Sequence, residues 1–155
     1  MKVRIIGLMA IISLSFTAMA QETFTDEELG KYATVMKWVD QEKAGIVEFV
    51  KTSVADNELL SGAKYNSLSK ADKAGDVTTV EATAEELEAY MVIKEGKDKR
   101  STELSTTSKE KILSDIGAGL YNRLKKALKT DEEVKARYQA IFDSLESTEM
   151  EESEG

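Results

Sequence analysis

The sequence predicts an all-α fold. Helix-start motifs recur along the chain, and apolar residues between them fall at three- and four-residue spacing. There is also no Pro to break a helix. The expected architecture is four main helices in one bundle-like domain, with a long irregular connection between the first and second. That domain spans residues 21–147, between a signal peptide at 1–20 and a disordered acidic tail at 148–155.

The N-terminus follows the three-part plan of a secretory signal. Lys2 and Arg4 form a basic start, residues 5–16 form an apolar run, and Ala18-Met19-Ala20 places small residues before Gln21. The run is shorter than the roughly 20 residues a membrane span needs. Cleavage is therefore expected after Ala20, giving a periplasmic or secreted protein. Without its two signal cations the net charge falls from −8 to −10. So acidic a chain suits solubility and does not suit nucleic acid or an anionic lipid surface.

The first helix is expected at 26–54. Thr25 and Glu28 have the spacing of a capping box, and Phe24 and Leu29 that of a hydrophobic staple. Leu29, Tyr32, Met36, Val39, Ile46, Val47, Val50 and Val54 make its apolar stripe, with a bend or break expected near Lys43 and Gly45. Residues 56–82 are rich in Ser, Lys, Asp and Gly and read as the long connection. Within them Asp56 is placed to cap a short helix that Gly62 stops, and Val77-Thr78-Thr79-Val80 is a lone strand-like run.

The Thr-x-x-Glu device returns at Thr83 and Glu86, starting a second helix at 84–95 that Gly96 ends. A weaker version at Thr107 and Glu110 starts a third, at 108–129, on Ile112, Ile116, Leu120, Leu124 and Leu128. Within it, Gly117-Ala118-Gly119 reads as a place of close helix approach. Thr130 and Glu133 start the fourth, at 131–147. Residues 25–32 and 83–90 share Thr, two Glu, Leu and Tyr, which reads as a recurrent start signal rather than a duplication.

The composition excludes much chemistry. With no His and no Cys there is no imidazole base, thiolate, zinc finger or disulfide. Ser-x-x-Lys occurs at Ser67 and Lys70 and at Ser108 and Lys111, but the companion motifs of penicillin-recognising enzymes are absent. The carboxylates sit mainly at helix starts and on the tail, and no calcium loop is present. Arg123, Lys125, Lys126 and Lys129 crowd one helix end, where they complement its dipole. No catalytic residue, cofactor or metal is expected.

The aromatic residues remain. Tyr32, Trp38, Tyr90, Tyr121 and Tyr138 lie on or beside the stripes and read first as core and rim packing. They are also the candidates for a pocket or partner groove between helices. Phe24-Thr25-Asp26-Glu27-Glu28-Leu29-Gly30-Lys31-Tyr32-Ala33 resembles the opening of an exported bacterial helical family, domain-of-unknown-function family 4168. Residues 65–71 and 121–128 are similar to segments of its longer members. The resemblance implies export and helices, and carries no activity or site residues with it.

The functional expectation is a non-catalytic exported protein with a protein partner. The alternative is a carrier of a small apolar ligand held between helices. N-terminal sequencing of protein recovered after export should begin at Gln21; an N-terminus at Met1 would remove the signal reading.

Overall fold

A computed structural model describes residues 23–153, with side chains described through Leu145. The expected signal peptide lies outside the described residues. Among these there is no strand, and five α-helices follow in order: α1 (Asp26–Ala55), α2 (Gly62–Lys73), α3 (Ala84–Lys111), α4 (Ala118–Thr130) and α5 (Glu132–Ser153). A 3-10 turn at Val77–Thr79 precedes α3, and a π turn at Ile112–Ile116 follows it. No described helix is long and apolar enough to cross a membrane.

Two capping boxes form as the residues dictate. Thr25 Oγ1 accepts from Glu28 N at 3.1 Å while Glu28 accepts from Thr25 N at 2.8 Å. Thr83 and Glu86 repeat this at 3.2 and 2.8 Å. At α5 the cap is Asp131 rather than Thr130, its Oδ1 accepting from Glu133 N and Val134 N at 3.0 and 3.1 Å. A carboxylate suits that place, because it meets both orphan N–H groups and the positive end of the helix dipole.

The expected four-helix layout is corrected in three places. The connection at 56–82 contains α2, because Ser61 caps it at Lys64 N (3.2 Å) and Leu68 and Ala71 give it one buried face. Gly62 begins this helix instead of stopping one. Next, α3 does not end at Gly96 and does not restart at Thr107. Ser101, Thr102, Thr106 and Thr107 each donate a hydroxyl to the carbonyl four residues back, at 2.8–3.1 Å, so the helix satisfies them internally. Last, the expected helix at 108–129 breaks at Gly117, whose φ of 82° and ψ of 142° suit only glycine. Neither Gly117 nor Gly119 has a close neighbour, so that motif turns the chain and seats no helix.

α1 runs unbroken through Gly45. At 30 residues it is about 45 Å long. Its first half buries Leu29, Tyr32 and Val35 with Phe24 against Ile116, Leu124 and Val134. Its second half lays Val50 and Val54 on a separate group formed by Leu60, Leu68, Tyr90 and Ile93. Between these two cores, residues 40–45 are exposed.

Two long neighbours lie along α1. α3 is antiparallel to it, since Arg100 sits over Phe49 and Lys111 over Trp38. α5 is parallel to it. Arg137 Nε reaches Asp26 at 3.2 Å, Tyr138 meets Tyr32, and the Leu145 carbonyl accepts from the buried Lys37 ammonium. The α5 backbone is helical through Ser153, and so enters the segment expected to be a disordered tail. No Pro or Gly intervenes before Gly155 to stop it.

Gly96 shows what joins the two cores. A Cβ there would stand 2.7 Å from the tip of the Phe49 ring, so the missing side chain is the notch that seats the ring. Gly45 has open space at the same position. Gly45→Ala should therefore raise unfolding stability by about 0.5–1 kcal/mol, the usual helix gain. Gly96→Ala should instead lower it by about 1 kcal/mol, because the ring must shift. Phe49→Leu should restore part of that loss. Urea unfolding of the four proteins checks this, and equal gains at the two glycines would contradict the notch.

Candidate functional site

The described surface has an open apolar groove of about 590 Å³ beside the turn from α1 to α2. Val47, Val50 and Val54 line one wall, a helical i, i+3, i+7 row. Leu60 and Tyr65 line the other, with Lys51, Asn57, Ser61 and Asn66 as polar members. A smaller depression of about 260 Å³ shares Asn57 and continues over Leu59, Ala89 and Val92, with Glu85 and Glu88 in its lining. A third, along α3, is lined only by charged and hydroxyl side chains, among them Lys97, Ser101 and Ser105.

The turn itself explains why apolar side chains are left outside. Asn57 Oδ1 accepts from both Leu59 N and Leu60 N at 2.9 Å, an Asx turn. This closes the chain so that Leu60 points inward, fully buried, while Leu59 stays 60% exposed. Val47 and Val92 are 67% and 64% exposed. Val47 borders the groove, while Leu59 and Val92 border the adjoining depression, and the two features meet at Asn57.

α2 is fixed beneath the groove at both ends. Lys64 donates to the Glu81 carbonyl and lies 3.6 Å from Glu86. At the other end the Tyr90 hydroxyl donates to Asp72 Oδ2 at 3.0 Å, and Lys94 bridges Asp72 and Asp98 at 3.6 and 3.1 Å. Burial, with Asp72 accepting its proton, pushes the Tyr90 hydroxyl well above the usual phenol range. Hydrogen bonds from Lys94 and Lys97 hold Asp98 below the usual carboxylate range. The Tyr65 ring, 5.5 Å from that of Tyr90, forms the groove wall, and burial raises its hydroxyl pKa too.

The five aromatic candidates lie elsewhere. Tyr32 stacks on Tyr121 at 5.6 Å and meets Tyr138 edge-on at 5.7 Å, inside the first core. Tyr90 is in the second core, and Trp38 is half-buried with the Lys111 ammonium 5.8 Å above its ring. None of the five lines the groove or the depression beside it. The residues that do, chiefly Val47, Leu59, Tyr65 and Val92, were missed as site residues. Val47 reads as part of the buried stripe, and nothing local marks the Asx turn that turns Leu59 outward.

The groove pairs an apolar wall with amide and hydroxyl groups. Its Ser61 hydroxyl is engaged in capping, and Lys51 pairs with Glu48 at 3.1 Å. In the two Ser-x-x-Lys matches, Ser67 donates to the Ala63 carbonyl at 3.1 Å, and Ser108 lies inside α3. Among the described residues no three acidic side chains are grouped to hold a metal. No family model, curated protein or solved structure matches the chain.

The tyrosine group yields a pH prediction. Burial, with Tyr121 and Tyr138 adjacent, pushes the Tyr32 hydroxyl from 10.0 to about 12, and burial next to Asp40 takes Tyr138 to about 12. An acid whose pKa is raised by folding stabilises the fold while it stays protonated, and the unfolded chain ionises first. Stability should thus hold up to about pH 10 and fall between about 10 and 12. Urea midpoints across that range, against tyrosinate absorbance, measure it. Tyr32→Phe should flatten the fall; an unchanged profile would remove Tyr32 as its cause.

Proposed function

We propose that this is an exported, non-catalytic helical protein that acts through protein–protein contact at the groove beside the α1–α2 turn. The openness of the groove carries this reading. Val47 stands outward on the groove, whose wall residue Leu60 is fully buried and fixed by the Asn57 turn, and Leu59 and Val92 stand outward on the depression that adjoins it. A carrier of a small apolar ligand needs most of the cargo surface enclosed. A groove open to solvent along an α-helix instead matches the way extended or helical segments dock. The signal-like residues 1–20 and the acidic charge belong to the same reading, as does the resemblance of residues 24–33 to family 4168. The four-helix bundle enters only in coarse form: α1, α3 and α5 are the long members, α4 and α2 are short at 13 and 12 residues, and α2 completes the groove.

Site-specific photo-crosslinking in the exporting cell tests the contact. A benzophenone side chain at Leu59 or Val47 should give a discrete protein adduct, and one at the exposed Lys126 should not. Adducts that are absent, or no different at Lys126, would overturn the reading. A reproducible small-molecule mass held by the native protein would favour the carrier.

A further inference from the structure

Two carboxylates stand beside the exposed apolar residues of the depression, and two more neighbour the turn in the chain. Glu85 and Glu88 line the depression that carries Leu59 and Val92. Asp56 and Glu58 flank the Asn57 turn in the chain, and both are exposed. None of these four has a cationic partner among the described residues. Elsewhere on the described chain many carboxylates are matched: Glu27 with Lys31, Asp40 with Lys43, Asp115 with Lys111 and Asp26 with Arg137. The one lysine of the groove, Lys51, is already paired with Glu48.

Negative charge without a cationic partner beside an exposed apolar patch constrains what can cover it, although Glu85 is also stabilised by hydrogen bonds at the start of α3. An acidic or neutral partner would bring these carboxylates toward a dry surface without a counter-charge, which costs free energy. A partner with cations at its rim would meet them, gaining both association rate and specificity. A second copy of this chain is poorly suited, because the basic stretch of α4 presents Lys125, Lys126 and Lys129 without an exposed apolar anchor among them.

We infer that the groove and the depression adjoining it at Asn57 together dock a cationic amphipathic segment of a partner protein, with apolar side chains on Val47, Leu59 and Val92 and Lys or Arg against Glu85 and Glu88. This rests on the protein-contact reading above and adds the chemistry of the partner. The row Val47, Val50, Val54 spans about 10 Å, so about two helical turns of such a segment would cover that wall, and the rest of it would reach the depression.

The test uses two synthetic peptides of about fourteen residues with the same Leu spacing, one carrying Lys on its flanks and the other Glu. Each is titrated into the isotope-labelled exported protein and followed by amide NMR. The Lys peptide should shift resonances of Val47, Leu59, Ala89 and Val92, and weaken steeply with added salt. The Glu peptide should leave them in place. Glu85→Gln with Glu88→Gln should weaken the Lys peptide about tenfold, whereas Glu103→Gln with Glu110→Gln should not. The salt dependence stands even where the paired variant unfolds. Equal binding of both peptides would overturn the charge requirement. So would shifts at Glu103 and Glu110 alone, or no shifts at all. Line broadening of the groove residues with the protein's own concentration would name a second copy as occupant. The crosslinking experiment uses no peptide, so adducts at Leu59 with no Lys-peptide binding would sink the cationic partner and leave the protein contact standing.

Discussion

A single helix of 30 residues, α1, has apolar side chains covered by different partners at its two ends. A small chain cannot wrap one core around a rod of about 45 Å. The apolar residues therefore gather twice, around Leu29 and Leu124 at one end and around Leu60 and Tyr90 at the other. Everything else follows from keeping those ends in register. The antiparallel α3 reaches from one core to the other, and the Phe49 ring in the Gly96 notch fixes its position along α1. The parallel α5 holds the opposite side through Arg137, Tyr138 and the Leu145 carbonyl.

The stretch between the cores is thin, and its chemistry reflects that. Residues 40–45 of α1 are exposed, and the facing part of α3 is Ser- and Thr-rich. Such residues are indifferent helix formers, because their hydroxyls compete for the backbone. Here the hydroxyls of Ser101, Thr102, Thr106 and Thr107 donate within the helix, to the carbonyl one turn back, so α3 stays continuous while presenting a polar outer face. Helical hydrogen bonding rather than apolar burial carries that part of the structure.

The groove is a consequence of where the second core ends. Leu60 and Leu68 are drawn fully inward, and the Asn57 turn that permits this leaves Leu59 outside. α2 is held against α3 by Lys64 at one end and by Tyr90, Asp72 and Lys94 at the other. Its position sets the second wall, including Tyr65. A surface so fixed is preformed, which would limit the ordering cost of the contact proposed for it.

The residues alone determined the helical class, two capping boxes and most positions of the first core, but only Tyr90 of the second. Those signals are local: a Thr three residues before a Glu, or Leu every fourth residue, acts within one or two turns. The helix boundaries at Gly96, Thr107 and Gly117 needed the tertiary structure. Gly96 reads as a stop until Phe49, 47 residues away in the chain, occupies its missing side chain. Gly117 sits within an apolar stripe whose period gives no hint of its positive φ. α2 was hidden because only two of its twelve residues, Leu68 and Ala71, are buried, too few to raise a period above a polar composition. The groove was least legible of all. Val47 and Val54 lie on the same stripe, and only the placement of α2 and α3 decides that one is half-covered and the other left in solvent.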